Sequence, residues 1–202
     1  YPHHHSLFFG CDKVNGGNYW QEGLERGQIV SEGVEILEAR GDRAVFRDRC
    51  LWVRPGKDPV IRDERTVTVS APSERVRQID FDIVITPQED VRIEQTNHSL
   101  FSARMVPELS VKQGGALVNA EGDRDEKGTF GKPSPWADYS GARGGKAEGL
   151  AILQHPGNPW HPAPWFTRDY GFFSPTPMFW PENGKYTDLP KGKPLRLRYR
   201  VL

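Results

Sequence analysis

Six histidines are the chain's clearest chemical resource: His3, His4 and His5 at the start, His98 within Gln95-Thr-Asn-His-Ser-Leu-Phe, and His155 and His161 within Leu150–Phe173. An imidazole titrates near neutral pH and also ligates divalent transition metals, so each group could move a proton or hold an ion. In an extended segment His3 and His5 share a face and His4 takes the other, so at most two could meet one metal or substrate. A tag remnant is the other origin of that triplet. His155 and His161 are six apart with prolines between them, and they would converge only if the loop doubled back. With His4, His5, Asp12 or Asp169 they could then form a facial metal set. Their spacing matches no zinc signature, so no cofactor is the favoured expectation and a divalent transition metal, held by His4, His5, His155 and His161, the alternative.

Proton transfer to a sugar oxygen needs a histidine and a carboxylate across the substrate. His98, with His4 or His155, supplies the first requirement, and Glu121 or Asp12 the second. Sugars present C–H faces to aromatic rings and hydroxyls to polar groups, which suits Trp136, Trp165 and Tyr170 as platforms and Asn15, Asn158, His161 and Arg168 as anchors. The competing role for the aromatic residues is a small core beneath long loops. Phosphate-cradling glycine loops, Gly-x-Ser-x-Gly elbows and Cys-x-x-Cys pairs are absent, which disfavours nucleotide hydrolysis, serine-hydrolase and thiol redox chemistry.

These groups must be positioned by strands. In Gln78–Thr86, Ile79, Phe81, Ile83 and Ile85 alternate with polar residues, and Leu195–Leu202 repeats the pattern with Arg196, Arg198 and Arg200 outward, charges that would protect the strand were it a free edge. Weaker strands are expected at Ile29–Leu37, Ala44–Val53, Glu64–Ser70, Val91–Gln95, Ser99–Met105 and Gly149–Leu153. Prolines at 156, 159, 162 and 164 exclude a helix from the middle of Leu150–Phe173 and make it a rigid loop. Gly114–Gly149 reads as a polar lobe beside the site. The expected fold is a single all-β antiparallel sandwich over residues 1–202 with long Gly/Pro-rich loops, preceded by an N-terminal segment that this sequence lacks.

Lys+Arg and Asp+Glu balance at 27 each, so nothing draws the chain to nucleic acid or an anionic surface. No run approaches the roughly 18 apolar residues of a membrane span. Cys11 and Cys50 could pair, but ordinary small residues are the favoured reading.

Thr-Asn-His-Ser-Leu-Phe resembles the Thr-Asn-His-Ser-Tyr-Phe run of the galactose mutarotase family, which implies a mutarotase-like supersandwich and a catalytic His98. Across nearly the whole chain, PHHHSLFFGCDKVNGGNYW and LQHPGNPWHPAPWFTRDYGFF resemble a bacterial family of uncertain function often labelled "methane oxygenase". Its members show HPHHRSLWF…GDVNG…FW and DHPxNPxHPTPWxxRxYGLF. The shared runs map onto His3, His4, Asp12, Asn15, His155, Asn158, His161, Trp165, Arg168 and Tyr170. This chain departs at His5, where arginine is usual, and at Gln154, where aspartate is. The resemblance implies a periplasmic or extracellular protein with a carbohydrate-related role: acid–base chemistry on a bound sugar or glycoside, with a metal-dependent oxygenase or a non-catalytic glycan-binding module as alternatives.

Overall fold

Period-two alternation builds the sheets. The computed structural model describes residues 6–21, 23 and 25–202. Among them one sheet has eight strands in the order β2 (Gln28–Arg40), β3 (Arg43–Arg54), β4 (Lys57–Ser70), β5 (Gln78–Pro87), β14 (Leu195–Val201), β10 (Lys146–Gln154), β9 (Trp136–Arg143) and β8 (Ala116–Asn119). A second sheet has four, ordered β1 (Leu7–Cys11), β7 (Ser99–Arg104), β12 (Phe172–Pro175) and β11 (Trp165–Arg168). A short ribbon pairs β6 (Val91–Glu94) with β13 (Tyr186–Leu189), and α1 (Asp125–Thr129) is a single short helix. All neighbouring strands are antiparallel.

The core lies between the two large sheets. On β7 Phe101 stacks on Tyr199 of β14 at 4.5 Å and meets Phe81 of β5 edge-on at 4.9 Å. Ile83, Ile85, Leu197 and Ile152 are buried beside them, each side chain contributing roughly 1.5–3 kcal/mol by leaving water. The fold class is thus the expected all-β sandwich.

The Gly114–Gly149 stretch, expected as a lobe, instead holds β8, α1, β9 and the start of β10. Ala137 and Tyr139 are fully buried and alternate with polar residues, a pattern weakened to the eye by alanine's small size. Gly144 and Gly145, at φ +56° and +76°, close the β9–β10 hairpin, since both central residues of such a turn need positive φ. The C-terminal strand needs no edge protection. β14 is not an edge but runs between β5 and β10, and Arg196 and Arg200 answer Asp82 and Asp80 on the neighbouring strand. Leu150–Phe173 is less of a loop than its prolines suggest, because it begins in β10 and ends in the β11–β12 hairpin. Cys11 and Cys50 are buried and unpaired.

Candidate functional site

The outer face of the four-stranded sheet gathers aromatic and charged residues from three separate parts of the sequence. On β1, β7, β12 and β11 the inward positions include Phe101, Ala103, Phe173 and Trp165, all buried. Alternation therefore sends Phe8, Arg104, Phe172, Phe166 and Arg168 outward, and Arg104, Phe172 and Arg168 fall in one row across three strands. Gly10 also faces outward, and a Cβ there would lie 2.6 Å from the Tyr19 carbonyl oxygen. Its lack of a side chain lets the Tyr19–Trp20 segment lie against β1, held by the Tyr19 N–H on the Cys11 carbonyl at 2.8 Å.

Trp20 is the hub of this face. Its ring meets Phe8 at 4.9 Å and Phe172 at 6.2 Å, and His98 stacks on it at 5.2 Å with the planes 25° apart. His98 Nδ1 lies 3.8 Å from Asp12 Oδ2, and the Asp12 N–H donates to the His98 carbonyl at 2.8 Å. Burial would raise the Asp12 carboxyl, but His98 and the Lys13 N–H more than offset it, leaving the group below the ordinary carboxylate range. The pair combines a persistently anionic carboxylate with a part-exposed imidazole, an arrangement able to take or give a proton.

Farther along, the Arg104 guanidinium lies over the Tyr170 ring at 4.2 Å, and its buried Nη1 makes no hydrogen bond among the described residues. Arg168 lies over Phe166 at 4.5 Å and Phe130 at 5.1 Å, and its Nη1 is 2.5 Å from Glu126 Oε1. Asp169 accepts the Glu126 N–H at 2.8 Å, which fixes α1 against this edge.

The aromatic face continues into a groove. Trp180 packs on Phe179 at 4.6 Å and Phe130 at 5.6 Å. Beyond it opens a cavity of about 540 Å³ whose walls include Trp160, Trp180, Tyr186 and three prolines, with Glu182, Asn183, Thr187 and Asp188 among its polar groups. One face of Tyr186 is covered by Arg92 at 3.7 Å, which Asp188 holds in place. The His98 turn is anchored to the same segment, because the Thr96 N–H donates to the Met178 carbonyl and the Gln95 amide to that of Phe179, at 3.1 and 2.8 Å.

A family model described as a family of unknown function, DUF6807, matches residues 1–202. The chain belongs to that family. The match bears out a family of uncertain function and carries neither an oxygenase nor a mutarotase name. No curated protein and no solved structure matches the chain.

The expected site residues of this DUF6807 chain fall in several places. Asp12 and His98 come together, and Arg168 and Tyr170 share their sheet face. His3, His4 and His5 lie outside the described residues. Glu121 stands exposed in the turn after β8, near the β11 end of the sandwich and not beside the β1 end that carries His98. Asn15 is a brace, its amide donating to Glu89 and the Asp90 carbonyl and accepting the Arg92 N–H. Trp136 is half-buried at the start of β9.

The segment after β10 does double back, through the Asn158 N–H on the His155 carbonyl and the His161 N–H on the Asn158 carbonyl. It does so beside the outward side chains of β14, across the sandwich from His98, so His155 and His98 do not share a site. Asn158 clamps the Arg198 backbone with both ends of its amide, at 2.8 and 2.9 Å. Trp165 is fully buried and donates to the Ser134 carbonyl at 2.8 Å, out of reach as a stacking platform. Gln154 is likewise a buried brace, bonded to Ser134 and to both backbone groups of Ala163. Among the described residues no group of three or more His, Cys, Asp or Glu is arranged to hold a metal ion.

Arg104, Glu126, Tyr186 and the groove residues Glu182, Asn183 and Asp188 are among the site residues that sequence reasoning missed. Arg104 had a usable signal: it follows the alternation of Phe101 and Ala103 on β7 and must face outward. Glu126 and Tyr186 had none, since only the folding of α1 and of the β6–β13 ribbon brings them to this side.

Proposed function

We propose that this DUF6807 chain binds a neutral sugar or glycoside along the outer aromatic face, with the Trp160–Trp180–Tyr186 groove as its seat and His98, backed by Asp12, as its proton-transfer group. The observation that carries the reading is the composition of the groove: accessible rings beside carboxylate and amide groups, in a cavity large enough for a sugar ring. Flat rings satisfy the C–H faces of a pyranose while Glu182, Asn183 and Asp188 meet its hydroxyls. Arg168 and Glu126, bound to each other, are less available as anchors than Asn183 and Glu182.

Calorimetric titration with a panel of neutral mono- and oligosaccharides tests the reading. Saturable binding is expected, weakened about tenfold by Trp180→Ala, as loss of one stacking contact of ~1.4 kcal/mol would give. If the bound sugar is also converted, His98→Gln should slow conversion by about 10²–10⁴-fold with affinity retained. Conversion that ends in that variant marks an enzyme, and binding without conversion marks a glycan-binding module. No binding by any sugar, or full affinity in Trp180→Ala, overturns the assignment.

A further inference from the structure

The outer face of the eight-stranded sheet carries a second cleft, separate from the aromatic groove. There β4, β5 and β14 run side by side with polar residues outward. Thr66 lies opposite Asp82 and Asp82 opposite Arg198, while Thr68 lies opposite Asp80 and Asp80 opposite Arg200. A half-open cavity of about 480 Å³ lies over them, walled by His155 and Pro156.

The ion pairs in this cleft leave one cation over. Asp80 takes Arg200, its cross-strand neighbour, through two bonds of 2.7 and 3.0 Å. Asp82 does not take Arg198, although the two are in register, because both its oxygens bind Arg196. Three arginines thus meet two carboxylates, and Arg198 makes no ion pair among the described residues. Its guanidinium reaches instead towards the loop, where a Cβ on Gly157 would lie 2.8 Å from Arg198 Nη2 and 3.2 Å from His155 Nδ1. Glycine at 157 keeps that approach open. His155 Nδ1 accepts the Gly157 N–H at 2.9 Å, so the neutral ring carries its proton on Nε2, as a donor to a ligand.

We propose that this cleft binds a small oxyanion, a carboxylate or a phosphate group, through Arg198, with the His155 ring and the Thr66 and Thr68 hydroxyls as neutral donors. The aspartates do not repel such a ligand because each is already neutralised by its own arginine. The ordinary His155 value is lowered by burial and then by Arg198, with His161 and Arg196 adding to it. A bound anion relieves that positive crowding. A planar guanidinium suits both candidate groups, since each offers two oxygens at the spacing of its N–H fork.

The test is calorimetric titration of the full chain, at low ionic strength, with glucuronate, inorganic phosphate and glucose. At least one anion is expected to bind saturably, to weaken as sodium chloride is added, and to lose at least about tenfold in affinity in Arg198→Gln. Glucuronate binding alone identifies a carboxylate site, and phosphate binding alone a phosphate site. A Thr66→Val/Thr68→Val variant keeps every charge and should weaken the same anion by a smaller factor. Any glucose binding belongs to the groove and should be equal in Arg198→Gln, so the two proposals fail separately. Neither anion binding, or binding unchanged in Arg198→Gln, overturns the site.

Discussion

At the scale of single residues, the largest commitment is Asp63. It is 3% exposed, and its carboxylate is held by the Trp52 indole N–H at 2.6 Å and by two bonds from Arg65 at 2.6 and 2.9 Å. Burial would lower the Arg65 guanidinium, but Asp63 more than offsets it and raises the group further. Asp63→Ala leaves that cation unpaired in the interior and orphans the indole N–H, so it should cost about 3–5 kcal/mol in urea unfolding. Little of this was legible beforehand. Arg62-Asp-Glu-Arg65 is an unbroken charged run with no hydrophobic period, and only the pairing of β4 with β3 and β5 turns Asp63 and Arg65 inward while Glu64 meets Arg49 outside. The cysteines were more legible as ordinary small residues, and the fold buries both unpaired. Burial pushes both thiols up, so neither should react with a thiol reagent in the native protein and both should react in denaturant, a result that colorimetric counting reads directly.

At the scale of elements, the segment between β10 and β11 shows what the prolines could and could not tell. They correctly excluded a helix, but rigidity there comes from amide side chains that bridge backbone to backbone. Gln154 serves the Ser134 carbonyl and both the N–H and the carbonyl of Ala163. Gln154→Ala leaves the buried N–H and carbonyl of Ala163 without those partners at ~1–3 kcal/mol each, while the Ser134 carbonyl keeps the Trp165 indole N–H, so a loss of about 3 kcal/mol is expected, with faster hydrogen exchange at the Ala163 N–H. The β9–β10 hairpin is the opposite case. Its Gly144–Gly145 pair fits the turn, but the polar residues around it hid the two-residue period of the strands.

For the whole molecule, the pH dependence of stability follows from charge pairs on both outer faces. Asp80 and Asp82 are lowered first by their bonds to Arg200 and Arg196, against burial, and Asp12 is lowered despite its burial. Their contribution is present above the unfolded carboxylate value of ~3.9 and is lost as pH falls through the folded values. Asp138 has the opposite sign, because burial raises it and the folded state prefers its protonated form. Thermal melts across acid pH should therefore show the midpoint falling below about pH 4, with a shallower fall in an Asp80→Asn/Asp82→Asn variant that has already lost those contributions. A steeper fall in that variant would contradict the assignment. The sequence by itself determined what is local: an all-β chain, the faces of its clearest strands, the turn residues, and the supply of rings and imidazoles. Strand order and register were decided by tertiary structure, because they depend on contacts between residues far apart in the chain. The C-terminal β14 enters between β5 and β10, and that insertion places Arg198 beside His155. The pairing of β1 with β7 places Asp12 beside His98 on the other side. Side-chain alternation gave each residue a face, and only the assembled sandwich decided which faces belong to the same site.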